Sequence, residues 1–242
     1  MACGIKSSFA IGLGVTIAGL PPMKRKLIES NLTLFYKNVK ITYKEGEVKN
    51  IFFISDTHFG HANMLKFVNY DGTRMRPFDS IEEVDELMIE NWNKVVKPND
   101  RIYHLGDVCY HCGNRDQIMQ RLNGKKVLIK GNHDRDQLGW YMKYFEDIRG
   151  TFHIDGNYLL SHFPIHPDSK GRFVRGLHGH IHAQTVLQAL FSKENGVTRI
   201  PDPWYRNCCV EVNNYSPIPF EVIKEETNKL IEEGIIIIPK KG

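Results

Sequence analysis

The chain has 242 residues, 41% of them hydrophobic and 25% charged, with a net charge of +4. That composition is ordinary for a globular protein with a full core and excludes disordered and fibrous classes. The mild positive charge permits an anionic substrate, but no Lys/Arg block reaches the length of a nucleic-acid-binding tail, and five cysteines without regular spacing point to a reducing, cytoplasmic setting.

Residues 1–50 read as an N-terminal extension, with strands or a hairpin packing on the core, and residues 51–242 as the main domain. After Lys6, the run from Phe9 to Leu20 has the length of a signal-peptide core but no cleavage pattern, and it is too short to span a bilayer. Its glycines disfavour a helix, so a buried hairpin or edge strand is preferred over a signal peptide. Phe35–Tyr43 and Val48–Ile54 are strand-like around a Glu45-Gly46 turn. Asp79-Ser80 caps a helix whose apolar positions Ile81, Val84, Leu87, Met88, Trp92 and Val95 keep 3.6-residue spacing and end before Pro98. Residues 114–122 form a shorter helix stopped by Asn123-Gly124, and a third is expected over Leu138–Tyr144.

From Phe152 onward strands dominate. A hairpin turns at Asp155-Gly156, and strands follow across LHGHIH and CCVEVN. A short helix after Pro219 and a last strand over Ile235–Ile238 complete the chain. Helices alternating with strands, then strands alone, predict two packed sheets flanked by helices.

The chemistry sits in short clusters: Asp56-Thr57-His58, Gly106-Asp107, Gly131-Asn132-His133-Asp134, Ser161-His162 and Gly179-His180-Ile181-His182. The first four follow apolar runs that read as buried strands, so their donors fall on loops at strand ends. Carboxylate, amide and imidazole with few thiols suit two adjacent divalent metals of borderline hardness. A metal pair activates and positions water for attack on phosphorus. In an extended strand end, Asp56 and His58 would share one face, as would His180 and His182.

These blocks, in this order, resemble the calcineurin-like metallophosphoesterase superfamily, and their flanking text is similar to small phosphoesterases of bacteria and phages. The resemblance implies a four-layer α/β/β/α sandwich of two mixed sheets. It also implies that Asp56, His58 and His182 hold one metal, that Asn132, His162 and His180 hold the other, and that Asp107 bridges them. The ions would be Mn, Fe, Zn or Ni, with Mn the first choice in vitro, and a bridging hydroxide the nucleophile. His133 would contact substrate and stabilise the phosphoryl oxygens or protonate the leaving alkoxide, with Asp134 orienting it and raising its pKa. Asn132 and His61 are further substrate-binding candidates, although His61 has an equal claim to be loop filling.

A lone histidine is more often a core or surface residue. His104 therefore reads as core, and His111, His153, His166 and His178 take that reading by default. Arg74, Arg76, Arg172 and Arg175 lie in loops, where a solvated face is preferred over binding a second phosphate or a base. Cys109-x-x-Cys112 lacks a second pair for a structural zinc. The leading function is a phosphodiesterase acting on a nucleotide or nucleic acid, and the alternative is a phosphomonoesterase. A catalytically inactive scaffold is the third reading, set lower because no ligand position is broken. Neither a membrane nor an obligate protein partner is indicated.

Overall fold

The computed structural model describes residues 50–110, 113–192 and 196–238. The expectations for the N-terminal extension, for His111 and for Cys112 lie outside the described residues. In chain order the elements begin with β1 (Ile51–Ile54), α1 (Ile81–Val95), β2 (Arg101–His104), α2 (Arg115–Arg121), β3 (Lys125–Ile129), α3 (Leu138–Tyr141) and β4 (Asp147–Arg149). They continue with β5 (Thr151–Ile154), β6 (Tyr158–Ser161), β7 (Arg175–His178), β8 (Leu187–Ser192) and β9 (Gly196–Pro201). Last come β10 (Tyr205–Asn207), β11 (Ile218–Pro219) and α4 (Phe220–Glu232).

The expected two mixed sheets flanked by helices are present. The first has the order β11-β1-β2-β3-β4, with β1 to β4 parallel and β11 antiparallel to β1. The second has the order β10-β7-β6-β5, with only β5 running antiparallel to its neighbour.

Alternation along β1 and β2 separates two apolar layers. Phe52, Ile54 and Ile102 enter a cluster with Val84, Met88 and Trp92 of α1. Phe53 stacks on Tyr103 at 5.6 Å, and Tyr103 stacks on Phe152 of the second sheet at 6.2 Å. Phe220, opening α4, takes the edges of Phe53 and Tyr158 at 5.5 and 5.0 Å, which ties both sheets to that helix. Apart from the half-buried Phe152, each of these side chains is buried and contributes roughly 1.5–3 kcal/mol by leaving water.

Helix α1 forms as its sequence dictates. The Ser80 hydroxyl accepts the Glu83 N–H at 3.1 Å, and Glu82 and Glu83 lie at the positive end of the helix dipole. Trp92 is fully buried, with its indole N–H donated to the Asn123 carbonyl at 2.9 Å.

Other expectations need correction. The third helix ends at Tyr141 rather than Tyr144. Segment CCVEVN is no strand: β10 stops at Asn207, and Val210–Val212 is a single 3-10 turn. Nor is Ile235–Ile238 a strand. Gly234, at φ 71°, turns the chain back so that the Ile235 and Ile236 N–H groups both reach the Leu230 carbonyl. That closure satisfies the helix end and leaves Ile237 83% exposed, away from any sheet. Strands β8 and β9 form a separate antiparallel ribbon. Among the described residues, no helix is long and apolar enough to cross a membrane.

Candidate metal centre

The loops that carry the clusters all leave the C-terminal ends of parallel-paired strands: Asp56 after β1, Asp107 after β2, Asn132 after β3, His162 after β6, and His180 and His182 after β7. Open α/β sheets place ligands at such ends. The two sheets meet there through a bridge between Ser55 and Cys209 and the His180 N–H bonded to Asp56 Oδ2 at 2.9 Å.

Two motif glycines allow this approach. A Cβ on Gly131 would collide with Asp107 Oδ1, and one on Gly179 would collide with Ser55 Oγ and Asp56 Oδ2. Larger residues at these positions would push the loops apart.

The strand-end geometry expected for the ligands is not what forms. Asp56, His58, Asp107, His180 and His182 all have positive φ, between 47° and 72°. Side-chain alternation therefore does not apply, and convergence comes from left-handed turns that send each chain out of its sheet. Such backbone costs roughly 1–3 kcal/mol per residue and gathers at functional sites.

Each carboxylate has one oxygen anchored and one turned towards imidazoles. Asp56 Oδ2 accepts the Ser55 hydroxyl at 2.6 Å, the His180 N–H at 2.9 Å and the Cys209 thiol at 3.3 Å. Its Oδ1 is buried without a hydrogen-bond partner and lies 3.8 Å from both His58 Nε2 and His182 Nε2. Asp107 Oδ1 accepts the His133 N–H at 2.8 Å, while Oδ2 lies 3.5 Å from both His58 Nε2 and His162 Nε2.

The rings are oriented in the same way. His162 Nδ1 contacts the Leu105 carbonyl at 2.8 Å, so the neutral ring carries its proton there. Its Nε2 then faces Asn132 Oδ1, also at 2.8 Å. His182 Nδ1 meets Glu211 Oε1 at 3.1 Å, which leaves Nε2 for the site. His180 lies beside His162, with ring centroids 5.2 Å apart.

Ligand atoms of Asp56, His58 and His182 lie within 4.8 Å of one another, as do those of Asp56, Asp107 and His162. The orphaned Asp56 Oδ1 and His58 Nε2 fit a cation, since buried polar atoms are ordinarily satisfied. Burial opposes ionisation of Asp56, but the His58 ring and the charges of His182 and His162 hold its carboxyl well below the usual range.

His133 stands next to this cluster, 5.3 Å from the His58 ring. Burial, with His58 adding to it, lowers its pKa against the pull of Asp107. The expected role for Asp134 needs correction. Its carboxylate accepts the N–H groups of Asp107, Val108 and Gly131 at 2.9, 3.0 and 2.8 Å, and Tyr141 reaches it at 3.5 Å. It ties the Asp107 loop to the Asn132 loop and does not orient the His133 ring.

His61 is buried and stacks on Tyr110 at 3.9 Å, and burial lowers its pKa to about 4. His104 is core, as expected, with Nε2 on Thr57 Oγ1 at 2.9 Å. His178 is also buried, whereas His166 is exposed.

Sequence reasoning missed Arg76 and Glu211. Arg76 is fully buried, and its guanidinium bonds the carbonyls of Asp56 and Thr57 at 2.6 and 2.8 Å and Glu211 Oε1 at 2.7 Å. Burial acts to raise the Glu211 pKa, but Arg76 and His182 more than offset it and keep the group anionic. Arg175 is likewise buried, paired with Glu226 of α4.

The protein MJ1445 of Methanocaldococcus jannaschii is 33% identical over 193 residues, covering 78% of this chain and 96% of its own. The Gene 66 protein of Mycobacterium phage D29 is 27% identical over 221 residues, covering 78% of this chain and 100% of its own. Among solved structures, the protein AQ665 from Aquifex aeolicus, described as of unknown function, matches with TM-score 0.51 and 27% identity, covering 74% of this chain and 99% of its own. The calcineurin-like phosphoesterase family model matches residues 49–232, and the chain belongs to that family.

Proposed function

We propose that this metal-dependent phosphoesterase is a phosphodiesterase acting on a nucleotide or nucleic-acid phosphate. The observation that carries this reading is the convergence of orphaned Asp56 Oδ1 and His58 Nε2 with Asp107, His162 and His182 at one point, beside His133. Asp56, His58 and His182 would hold one ion, and Asn132, His162 and His180 the other, with Asp107 between them. Bound ions supply Lewis acidity and an activated water for in-line attack on phosphorus.

The chain's own groups do the rest. Asn132 contributes a neutral amide, which limits negative charge around an anionic substrate. His133, on the ligand-bearing loop, donates a proton to the departing alkoxide or stabilises the phosphoryl oxygens. A departing alkoxide is a poor leaving group that such an acid assists, and a diester substrate fits that role.

Aromatic side chains at the site support a nucleotide substrate. Phe163 is 49% exposed and lies 4.3 Å from His180 by ring centroid. Tyr110, 40% exposed, covers His61. Such rings give nucleobases a stacking surface worth about 1–3 kcal/mol per base.

The test compares an aryl phosphodiester with its monoester under Mn²⁺ and after chelation. Metal-dependent cleavage favouring the diester is expected, and monoester preference would move the assignment to a phosphatase. Phe163→Ala should raise KM several-fold for a dinucleotide and leave the aryl diester unchanged. An equal loss on both substrates would remove the stacking role.

A further inference from the structure

One buried ion pair reaches a single half of the candidate metal centre. Arg76, fully buried, gives Nη1 to the Thr57 carbonyl at 2.8 Å and Nη2 to the Asp56 carbonyl at 2.6 Å, so it clamps the left-handed Asp56–His58 turn from outside. The same guanidinium bonds Glu211 Oε1 through Nε at 2.8 Å and Nη2 at 2.7 Å. That Glu211 oxygen also meets His182 Nδ1 at 3.1 Å. Asp56, His58 and His182 are thus tied to one another through two residues that do not belong to the motifs. The other half has its own tie, the Asp134 carboxylate on the N–H groups of Asp107 and Gly131.

Stability alone does not account for the pair. Apolar side chains of similar volume often replace a buried ion pair with neutral or favourable effect. A histidine that donates its outer N–H to a carboxylate, by contrast, is held in one tautomer with its other nitrogen presented to a metal.

We propose that Arg76 and Glu211 are positioning residues for one metal position only, the one formed by Asp56, His58 and His182. The proposal rests on the dinuclear reading above and adds a division within it: Arg76 and Glu211 contact ligands of one position, while Asp134 holds the loops of Asp107 and Asn132.

The test uses the full chain and Mn²⁺ alone, with calorimetric titration and electron paramagnetic resonance. Wild type should bind two ions and give the spin-coupled signal of a pair. Glu211→Gln should weaken one of the two sites by about 10–100-fold and leave the other at its wild-type affinity. At limiting Mn²⁺ its spectrum should then be that of an isolated ion.

Because Glu211→Gln leaves Arg76 without its anionic partner, the double variant Arg76→Met with Glu211→Gln is measured beside it. It removes both charges and should show the same selective loss, with the metal-free melting temperature close to wild type. Equal weakening of both sites, or no change at either, would overturn the proposal. Wild type binding fewer than two ions would overturn the dinuclear reading and the brace with it. Two ions in wild type and in both variants, with unaltered affinity, would overturn the brace alone.

Discussion

The apolar layer under α1 and the loop cluster at the strand ends share β1 and β2 but follow opposite rules. In the layer, Trp92, Val84 and Met88 are fully buried, the indole N–H has a carbonyl, and Ser80 caps the helix. In the cluster, Asp56 Oδ1 and both His58 ring nitrogens are buried without hydrogen-bond partners, and five of the seven candidate ligands adopt left-handed backbone. One region minimises strain and the other concentrates it. The layer and the glycine-permitted contacts of the loops hold in place a site that could not form from its own local preferences.

If this contrast is right, substitutions in the two regions should separate chemistry from stability. The largest expected effect is in the cluster. His133→Ala should lower kcat by about 10²–10⁴-fold while Mn²⁺ content and melting temperature stay near wild type. Steady-state kinetics with metal analysis would show this, and an unchanged rate would remove His133 from the reaction.

Next comes the layer. Trp92→Ala should cost about 3–5 kcal/mol of unfolding free energy, read by chemical denaturation, with Mn²⁺ affinity of the folded protein unaltered. Loss of metal affinity without loss of stability would mean that the two regions are not separable in this way. The smallest effect is at the helix start, where Ser80→Ala should cost about 1 kcal/mol and leave turnover unchanged.

The same division governs how much could be read from sequence. Helix α1 was legible because a cap, a 3.6-residue apolar period and a following proline all agree locally. The metal-site clusters were legible because each donor follows a short apolar run. The turns that aim Asp56 and His58 were not, because nothing in Asp-Thr-His signals a positive φ; neighbouring loops impose it through the Asp56 N–H to Gly106 and the His58 N–H to Asp107 carbonyls.

Arg76 was invisible for a related reason. It reads as a loop arginine, and its partner Glu211 lies 135 residues later in a segment that reads as strand. Only the meeting of the two sheets brings them together. Asp134 was misassigned because adjacency to His133 suggested a side-chain pair, whereas three backbone N–H groups from two loops claim its oxygens.

The most direct test of the central claim is Mn²⁺ stoichiometry measured together with aryl phosphodiester hydrolysis, for wild type and Asp107→Asn. The account predicts two ions per chain and chelation-sensitive turnover in wild type, with both the ion pair and the turnover lost in the variant. Hydrolysis that survives chelation, or an Asp107→Asn protein that keeps two ions and full turnover, would contradict it.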